Sequence, residues 1–460
     1  MRITRRQFVG SAVALAGLPR LATAAVLTAD GFIEIRARRA RLGLLEGGAG
    51  RTEALLFGDG PEPPVIRGTQ GQPLKLRFIN DLDREIWLHF FGVRGPADLM
   101  TINVPPGADQ AVDCVFTPPD AGTFWISPMA DQSRLREMGL SAVLVVEEAE
   151  AVDGITDRVL VLDDWSLADD GSVEGNFGDV ATMVGEGRLG NWFTINNSFR
   201  PRLPIAADSY TRLRILNAAN ARTLKLLFKG HDPLLLARDG QPVKPVSLRG
   251  GALSLSPGQR ADLLVSGEEG DIRLALDVLG DVVEIGYLVA EQGKAAALPA
   301  LAENFALPPN PASAPEMSGD IRSVTLTLQG GLRGGLASAV LNGAERDLRT
   351  LLENGKGWAI NGVAGPAPEP AFTAKRGESL RLDIENRTAF DQPFHIHGHV
   401  WRVGGREDPA PRPDPAVIPA GETLSLAFKA DNPGPWAVHA LVAERADGGL
   451  IAVFRVDDGE

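Results

Sequence analysis

Three of the six histidines of this 460-residue chain lie within five residues, in the stretch PFHIHGH from Pro393 to His399. His395 and His397 are two residues apart. Because side chains alternate between the two faces of a strand, both imidazoles point to the same side if the stretch is extended. Imidazole nitrogen is a common ligand of copper and zinc. The spacing therefore raises the question of a metal site and directs attention to the other histidines.

A repeated strand relates His395 to a fourth histidine. Three segments alternate apolar and polar residues, as a half-buried strand does, and each ends in Asn. They are GQPLKLRFIN at 71–80, DSYTRLRILN at 208–217 and GESLRLDIEN at 377–386. His89 follows Asn80 by nine residues, and His395 follows Asn386 by the same nine. The equal spacing predicts equivalent positions for His89 and His395 in two copies of one fold.

A repeated turn adds another histidine. The stretch TPPDAGTFW at 117–125 matches ADNPGPW at 430–436, and this alignment places His439 opposite Ser127 and Leu441 opposite Met129. The equivalent strand of the second copy, at 226–228, carries no residue of a ligand type. We therefore expect any shared site to lie between the first and third copies. A pseudo-twofold pairing of these copies would bring together His89, His395, His397 and His439.

The elements that must position these residues are predicted from composition and from the distance between the repeats. Glycine (52) and proline (33) are abundant, and turn clusters separate short alternating runs, which favours many strands over long helices. Repeats more than about a hundred residues apart are whole domains. The predicted fold is all-β, with three consecutive Greek-key β-sandwich domains. The predicted ranges are a leader at 1–25, domain 1 at 26–150, domain 2 at 151–295, a linker at 296–318 and domain 3 at 319–460.

The first residues predict export. Arg5 and Arg6, in TRRQF, precede about a dozen apolar residues and then the small residues Ala22, Thr23 and Ala24. This is the pattern of a twin-arginine signal peptide with its cleavage site. Because a membrane span needs about 20 apolar residues, we expect no transmembrane segment in the mature chain and a periplasmic location.

The net charge limits the expected partners, and the cysteine count limits the expected disulfides. The formal net charge of -13 argues against nucleic acid as a partner, since like charges repel. The single cysteine, Cys114, excludes an intramolecular disulfide and is expected to be a buried thiol. The sequence leaves the oligomeric state open.

Together with the leader and the three-domain order, several stretches resemble the multicopper oxidases over nearly the whole mature chain. They are INDLDREIWLHFFGVR, FTPPDAGTFWISPM, LNAANARTLKLLFKGH, PFHIHGHVWRV and FKADNPGPWAVHALVAERADGGLIAVF. The resemblance implies three cupredoxin-like domains, with copper ligands in four histidine-rich motifs. It also implies a type 1 copper that passes electrons to a three-copper cluster, where dioxygen is reduced.

The chain departs from the family's motifs at two kinds of copper site. The positions implied for the type 1 ligands are Gln392, Ala440, Arg445 and Leu450. The positions implied for one of the two type 3 coppers are Phe91, Ser127 and Leu441. None of these side chains is a plausible copper ligand there. The resemblance therefore implies that the electron-entry site and one cluster copper are absent.

The remaining copper positions keep ligand-type residues. Those of the type 2 copper fall on His89 and His395, and those of the second type 3 copper on His397 and His439, with Met129 as a weaker third. These residues could hold one or two copper or zinc ions. The alternative is that the histidines pack at a domain interface without metal.

Two functions are compatible with these expectations. One is a non-catalytic envelope or cell-division scaffold, with envelope or division proteins as partners, by similarity to a copper-free bacterial cell-division protein of the family. The other is copper or zinc binding, or a mononuclear oxidoreductase, at the residual histidines. Laccase-type activity is not expected, because the thiolate ligand and the electron relay are missing.

His399 and His231 are expected to be structural polar residues.

Overall fold

The structure is a computed structural model. It describes residues 26–48, 52–152, 154–207, 209–267, 270–291, 305–311, 317, 319–404 and 414–458. The predicted leader, at 1–25, and most of the predicted linker, at 296–318, lie outside these residues. Across the described residues, no helix combines the length and the apolar character that a membrane crossing requires.

Sheet pair one is formed by the strands β1 to β10. They are β1 (Val26–Leu27), β2 (Ile33–Leu42), β3 (Thr52–Phe57), β4 (Val65–Thr69), β5 (Leu74–Asn80), β6 (Ile86–Phe91), β7 (Thr101–Val104), β8 (Gly107–Phe116), β9 (Gly122–Pro128) and β10 (Ala142–Glu147). One sheet has the order β1-β2-β5-β8 with β3 beside β2, and the other has the order β4-β10-β9-β6-β7.

Sheet pair two is formed by the strands β11 to β21. They are β11 (Ile155–Trp165), β12 (Trp192–Ile195), β13 (Arg202–Ala206), β14 (Tyr210–Asn217), β15 (Leu224–Lys229), β16 (Leu234–Arg238), β17 (Gln241–Ser247), β18 (Ala252–Leu255), β19 (Arg260–Ser266), β20 (Ile272–Val278) and β21 (Asp281–Glu291). The two sheet orders are β12-β11-β14-β19-β16-β17 and β13-β21-β20-β15-β18.

Sheet pair three is formed by the strands β22 to β33. They are β22 (Arg322–Gly330), β23 (Ser338–Leu341), β24 (Ala344–Asp347), β25 (Trp358–Ile360), β26 (Thr373–Lys375), β27 (Glu378–Asn386), β28 (Gln392–Ile396), β29 (Trp401–Val403), β30 (Ala416–Ile418), β31 (Thr423–Ala430), β32 (Gly434–Ala440) and β33 (Ile451–Asp457). The two sheet orders are β25-β22-β27-β31-β29 and β26-β33-β32-β28-β30, and β23 pairs with β24 as a hairpin.

Helices are short in the part of the chain that the structure describes. The α-helices are α1 (Ala97–Met100), α2 (Gln132–Glu137), α3 (Val180–Val184), α4 (Leu348–Glu353) and α5 (Ala443–Asp447), and a 3-10 turn spans Glu46–Gly48. Strands dominate, so the predicted all-β class is confirmed.

The repeated strand of the sequence is a central strand in each sheet pair. β5, β14 and β27 each pair in parallel with an earlier strand of the same sheet pair, respectively β2, β11 and β22. Each then pairs antiparallel with a later strand, respectively β8, β19 and β31. The three sheet pairs therefore share one topology, as the repeat predicts.

The asparagine that ends each repeat ties its sheet to the facing one. Each amide nitrogen donates a hydrogen bond to a carbonyl oxygen at the end of an edge strand of the second sheet. These bonds join Asn80 to Val104 (2.9 Å), Asn217 to Leu255 (2.8 Å) and Asn386 to Ile418 (3.0 Å). All three asparagines are buried, so the bonds are hard to replace with water. A second bond from each amide reaches the carbonyl oxygen two residues before the next strand, and in two of the three copies that strand carries histidine.

Sheet pairs one and three share one hydrophobic core. Phe78 and Phe90 of sheet pair one and Phe394 and Phe428 of sheet pair three belong to the same contiguous cluster of buried side chains. Sheet pair two has a core of its own. The contact that was expected between the first and third copies is thus an extended packed interface, and the histidines lie within it.

The predicted buried state of Cys114 is confirmed. Its side chain is fully buried on β8, and the thiol lies 3.6 Å from the carbonyl oxygen of Leu99. Burial raises the pKa of the thiol from 9.0 to about 12.

Candidate metal centre

The elements that carry the histidines occupy equivalent places in sheet pairs one and three. His89 lies on β6, His395 on β28 and His439 on β32, and His397 follows the end of β28. On the antiparallel pair β28–β32, His395 stands directly opposite His439. On the equivalent pair β6–β9, His89 stands opposite Ser127. The pseudo-twofold arrangement thus matches the alignment made from the sequence.

The imidazoles of His89, His395 and His397 converge. One ring nitrogen from each residue lies within 4.8 Å of the others, and all three side chains are buried. The rings of His89 and His397 stack with 3.5 Å between their centroids. The Nε2 atom of His397 lies 3.0 Å from Nε2 of His439, which places the fourth histidine beside the other three.

Hydrogen bonds on the outer side of the cluster orient its rings. Nδ1 of His395 bonds to the carboxylate of Asp414, and Nδ1 of His89 lies 2.8 Å from the Thr101 hydroxyl. A carboxylate only accepts, so Nδ1 of His395 carries a proton, and in the neutral ring the lone pair lies on Nε2. The Nε2 atoms of His89 and His395 are buried and have no hydrogen-bond partner among the described residues. Two inward nitrogens are therefore available to a ligand.

The fourth imidazole is oriented by the backbone. Nδ1 of His439 donates to the carbonyl oxygen of Ala440 at 2.7 Å, which leaves the lone pair of His439 on Nε2. In this tautomer Nε2 of His439 accepts a hydrogen bond from Nε2 of His397. A metal ion that took the Nε2 lone pair of His397 would replace this bond.

Three of the four imidazoles are neutral at ordinary pH. Burial, with a further contribution from the neighbouring imidazoles, lowers the pKa of His89, His397 and His439 well below the usual value. Neutral imidazole is the form that coordinates a metal ion. The environment thus holds these three histidines in a ligand-competent state.

An apolar wall closes one side of the cluster. The ring of Phe91 is fully buried, with its centroid 5.4 Å from that of His395 and 5.9 Å from that of His439. Leu441 is fully buried in the same apolar cluster as Phe91, and Met129 packs against that cluster. Met129 itself is only partly buried. Sequence reasoning had offered it as a weaker metal ligand, which stays a prediction.

A buried cation lies behind this wall, and sequence reasoning missed it. The guanidinium of Arg136 lies 5.5 Å from the Phe91 ring and 4.7 Å from the Trp125 ring. It donates to the carbonyl oxygen of Leu441 at 3.0 Å and to the side chain of Gln132 at 2.6 Å. Burial lowers the pKa of Arg136 to about 10, which leaves it charged at neutral pH. On a short helix rich in polar residues, nothing in the sequence distinguishes this arginine from an exposed one.

The positions implied for type 1 copper are filled by other side chains. Arg445 is buried and donates to the side chain of Gln392 at 3.0 Å. Its guanidinium also packs over the Phe390 ring at 4.7 Å. Ala440 and Leu450 are fully buried beside this pair. With no thiolate and no imidazole in this group, the residues present do not fit a type 1 copper.

The two remaining histidines lie apart from the converging nitrogens. His399 is buried and its Nδ1 bonds to the carbonyl oxygen of His397, while its ring packs among Phe428, Trp436 and Phe454. His231 lies on sheet pair two, where its Nδ1 bonds to the carbonyl oxygen of Lys229.

Comparisons with known proteins concern the family and the fold of the chain. Multicopper oxidase family models match residues 157–271 and 342–460, which together make up about half of the chain. The chain belongs to the multicopper oxidase family. A crystal structure of a multi-copper oxidase from Pseudomonas thermotolerans superimposes with a TM-score of 0.77 at 26% identity, covering 92% of this chain and 98% of that one. The predicted cupredoxin-like architecture is therefore confirmed.

Two curated relatives cover most of the chain. Multicopper oxidase MmcO of Mycobacterium tuberculosis is 25% identical over 95% of this chain and 94% of its own length. Cell division protein FtsP of Xenorhabdus nematophila is 23% identical over 86% of this chain and 83% of its own length. The chain is thus similar both to oxidases and to a cell division protein within one family.

Proposed function

We propose that this protein is a member of the multicopper oxidase family without oxidase activity, and that it binds a single copper or zinc ion through His89, His395 and His397. The observation that carries this proposal is the pair of buried Nε2 atoms, on His89 and His395, that lack partners while facing a third imidazole. An unpaired buried polar atom costs about 1–3 kcal/mol. A metal ion would satisfy both nitrogens at once.

The surroundings support one ion and not a three-copper cluster. Phe91 and Leu441 supply no lone pairs on one side of the histidines. Beyond them, the charge of Arg136 opposes the approach of a second cation. Of the three implied ligand positions on this side, only Ser127 carries a lone pair, on a neutral hydroxyl, and one such group does not make a copper site.

The filled type 1 position supports the loss of oxidase activity. The Arg445–Gln392 hydrogen bond lies where a copper relay would receive electrons. Without an electron-accepting group there, the histidine cluster has no route for reducing equivalents from a surface substrate. The proposal therefore excludes the phenol oxidation that is coupled to dioxygen reduction.

The burial of the ligands favours a structural or regulatory ion over a mononuclear oxidoreductase. His89, His395 and His397 are each at most 2% exposed, so a substrate could not reach the ion without separating the sheet pairs. An ion held there would cross-link sheet pair one to sheet pair three, because its ligands come from both. Its binding would stabilise the folded state in proportion to the logarithm of free ion over dissociation constant.

Metal stoichiometry tests the proposal. Purified protein is stripped of metal, titrated separately with Cu(I), Cu(II) and Zn(II), and measured by elemental analysis and thermal unfolding. We expect one equivalent bound to the wild type and to the control His231→Ala, and none to the double variant His395→Ala/His397→Ala. A wild type that binds none of the three ions, or a double variant stabilised as much as the wild type, would show that the histidines are packing residues.

A second candidate function concerns location and partners. We propose that the chain is exported to the periplasm by its twin-arginine leader and acts there as an envelope or division scaffold. The leader pattern and the similarity to FtsP support this role. The test is a carboxyl-terminal fusion to a fluorescent protein that folds before export. Septal enrichment that requires Arg5 and Arg6 is expected, and a cytoplasmic signal with both arginines intact would refute export.

A further inference from the structure

Asp414 makes hydrogen bonds through both oxygens of its carboxylate and through its backbone N–H and carbonyl oxygen. Its Oδ1 accepts from Nδ1 of His395, and its Oδ2 lies 3.2 Å from Nη2 of Arg260. Its backbone N–H donates to a carboxylate oxygen of Asp239 at 2.8 Å, and its carbonyl oxygen accepts from Nη1 of Arg260 at 2.7 Å. Because both the backbone and the carboxylate are held, the side chain has one orientation, and it transmits that orientation to the imidazole of His395.

The residues that hold Asp414 belong to a sheet pair that contributes no histidine to the cluster. Asp239 follows β16 and Arg260 begins β19, both in sheet pair two. They are fixed to each other, since the backbone N–H of Arg260 donates to Oδ1 of Asp239 at 2.7 Å. Arg260 is 1% exposed. Asp239, Arg260 and Asp414 therefore form a chain of contacts, here called the carboxylate strap, that runs from sheet pair two to His395.

A glycine in sheet pair one leaves the space that Arg260 of the carboxylate strap occupies. Gly92 follows β6, which carries His89, and adopts a left-handed φ of +83°. A Cβ atom at this position would lie 2.2 Å from Nη2 of Arg260. The Nε of Arg260 also donates to the carbonyl oxygen of Thr123, on β9, at 3.3 Å. All three sheet pairs thus meet at the guanidinium of Arg260.

We propose that Asp414 is a positioning residue for the metal-binding nitrogen of His395, and that the carboxylate strap makes metal affinity depend on the docking of sheet pair two. The inference rests on the proposed metal function. It extends the metal function from the three ligating histidines to sheet pair two, which contributes no metal ligand.

The physical reason lies in the tautomer of His395. A carboxylate at Nδ1 keeps the proton there, keeps the lone pair on Nε2, and makes that lone pair more basic. Such hydrogen-bond partners, on the histidine nitrogen that does not bind the metal, contribute about 10-fold to 100-fold to metal affinity. If sheet pair two shifts, Arg260 and Asp239 release Asp414, and the imidazole loses its fixed orientation.

The experiment measures two quantities on the full-length protein. One is Cu(II) affinity by competition with a chelator of known affinity. The other is the nitrogen-15 chemical shift pattern of the His395 ring in metal-free protein, which reports the tautomer. The variants are Asp414→Ala, Asp414→Asn and Asp239→Asn. The control is Asp391→Asn, an exposed carboxylate beside β28 that bonds to the backbone of Ala420.

We expect Asp414→Ala to bind Cu(II) about 10-fold to 100-fold more weakly and to lose the fixed Nδ1–H tautomer. Asp414→Asn should keep the tautomer and lose less affinity, because its amide oxygen still accepts from Nδ1. Asp239→Asn should weaken binding by about fivefold, since one amide oxygen cannot accept from both backbone donors. Asp391→Asn should match the wild type.

Affinity of Asp414→Ala within twofold of the wild type, with the tautomer unchanged, would overturn the positioning role. An unchanged affinity in Asp239→Asn would overturn the dependence on sheet pair two. If the wild type binds no metal, the proposed function fails, but the tautomer measurement on metal-free protein still decides whether Asp414 orients His395.

Discussion

Replacing Asn386 by alanine should weaken both the fold and the histidine cluster, whereas the same change at Asn217 should weaken the fold alone. The two asparagines end equivalent strands in sheet pairs three and two. The strand that follows Asn386 carries His395, and the strand that follows Asn217 carries no histidine. Comparing the two variants therefore separates a general loss of stability from a loss of ligand positioning.

The expected loss of stability follows from the hydrogen bonds. The Asn386 amide donates to the carbonyl oxygens of three residues, and its Oδ1 accepts from the backbone and hydroxyl of Thr388. Asn217 donates two bonds and accepts one. The two N–H groups of Asn386 share three acceptors, which makes about four full bonds with the two accepted ones. At about 1 kcal/mol net for each bond, Asn386→Ala should lower the free energy of unfolding by about 4 kcal/mol and Asn217→Ala by about 3 kcal/mol.

The assay combines urea unfolding of metal-free protein with Cu(II) competition. Asn386→Ala should also bind Cu(II) about tenfold more weakly, because a loosened loop lets His395 move by a fraction of an ångström to an ångström. Asn217→Ala should bind as the wild type does. If both variants lost the same affinity, or if Asn386→Ala lost stability but no affinity, the reasoning that these asparagines aim the ligand strands would be refuted.

Four further outcomes are expected. Copper-loaded protein should show no intense blue thiolate band, because Arg445 and Gln392 fill the type 1 position; a band that survived Cys114→Ser would contradict this. Arg136→Gln should raise Cu(II) affinity by about tenfold in the same competition assay, since it removes a buried positive charge; unchanged affinity would show that the guanidinium does not act on the cluster. Native Cys114 should react with a thiol reagent at pH 8 about a thousandfold more slowly than in the unfolded chain, because burial raises its pKa to about 12. The same shift makes the free energy of unfolding decrease as pH rises from 9.0, the pKa of an ordinary thiol, towards 12, and Cys114→Ser should remove that component.

The sequence predicted the features that repeat. Alternation and a shared terminal asparagine identified the central strand of each sheet pair, and equal spacing placed His89 and His395 in equivalent positions. Such signals survive in sequence because each copy must bury the same face and satisfy the same backbone groups. The relation between His439 and Ser127 followed from the same logic, and the structure has them on equivalent strands.

The features that the sequence did not reveal depend on contacts between distant residues. Asp414 lies 19 residues beyond His395, and Arg260 lies 154 residues from Asp414, in another sheet pair. No periodicity connects such residues, so only the folded chain shows that they touch. Arg136 was missed for a different reason, since a buried guanidinium is recognised by its partners and not by its neighbours in sequence.

The shared core of sheet pairs one and three has a consequence for biosynthesis. The last strand of sheet pair one ends at Glu147, and the last strand of sheet pair three ends at Asp457. At about 5–20 residues per second, a ribosome needs about 15–60 s to make the intervening stretch. During that time the side chains of sheet pair one that pack against sheet pair three have no partner there. Slowing translation after Glu147 should therefore increase aggregation more than slowing it before.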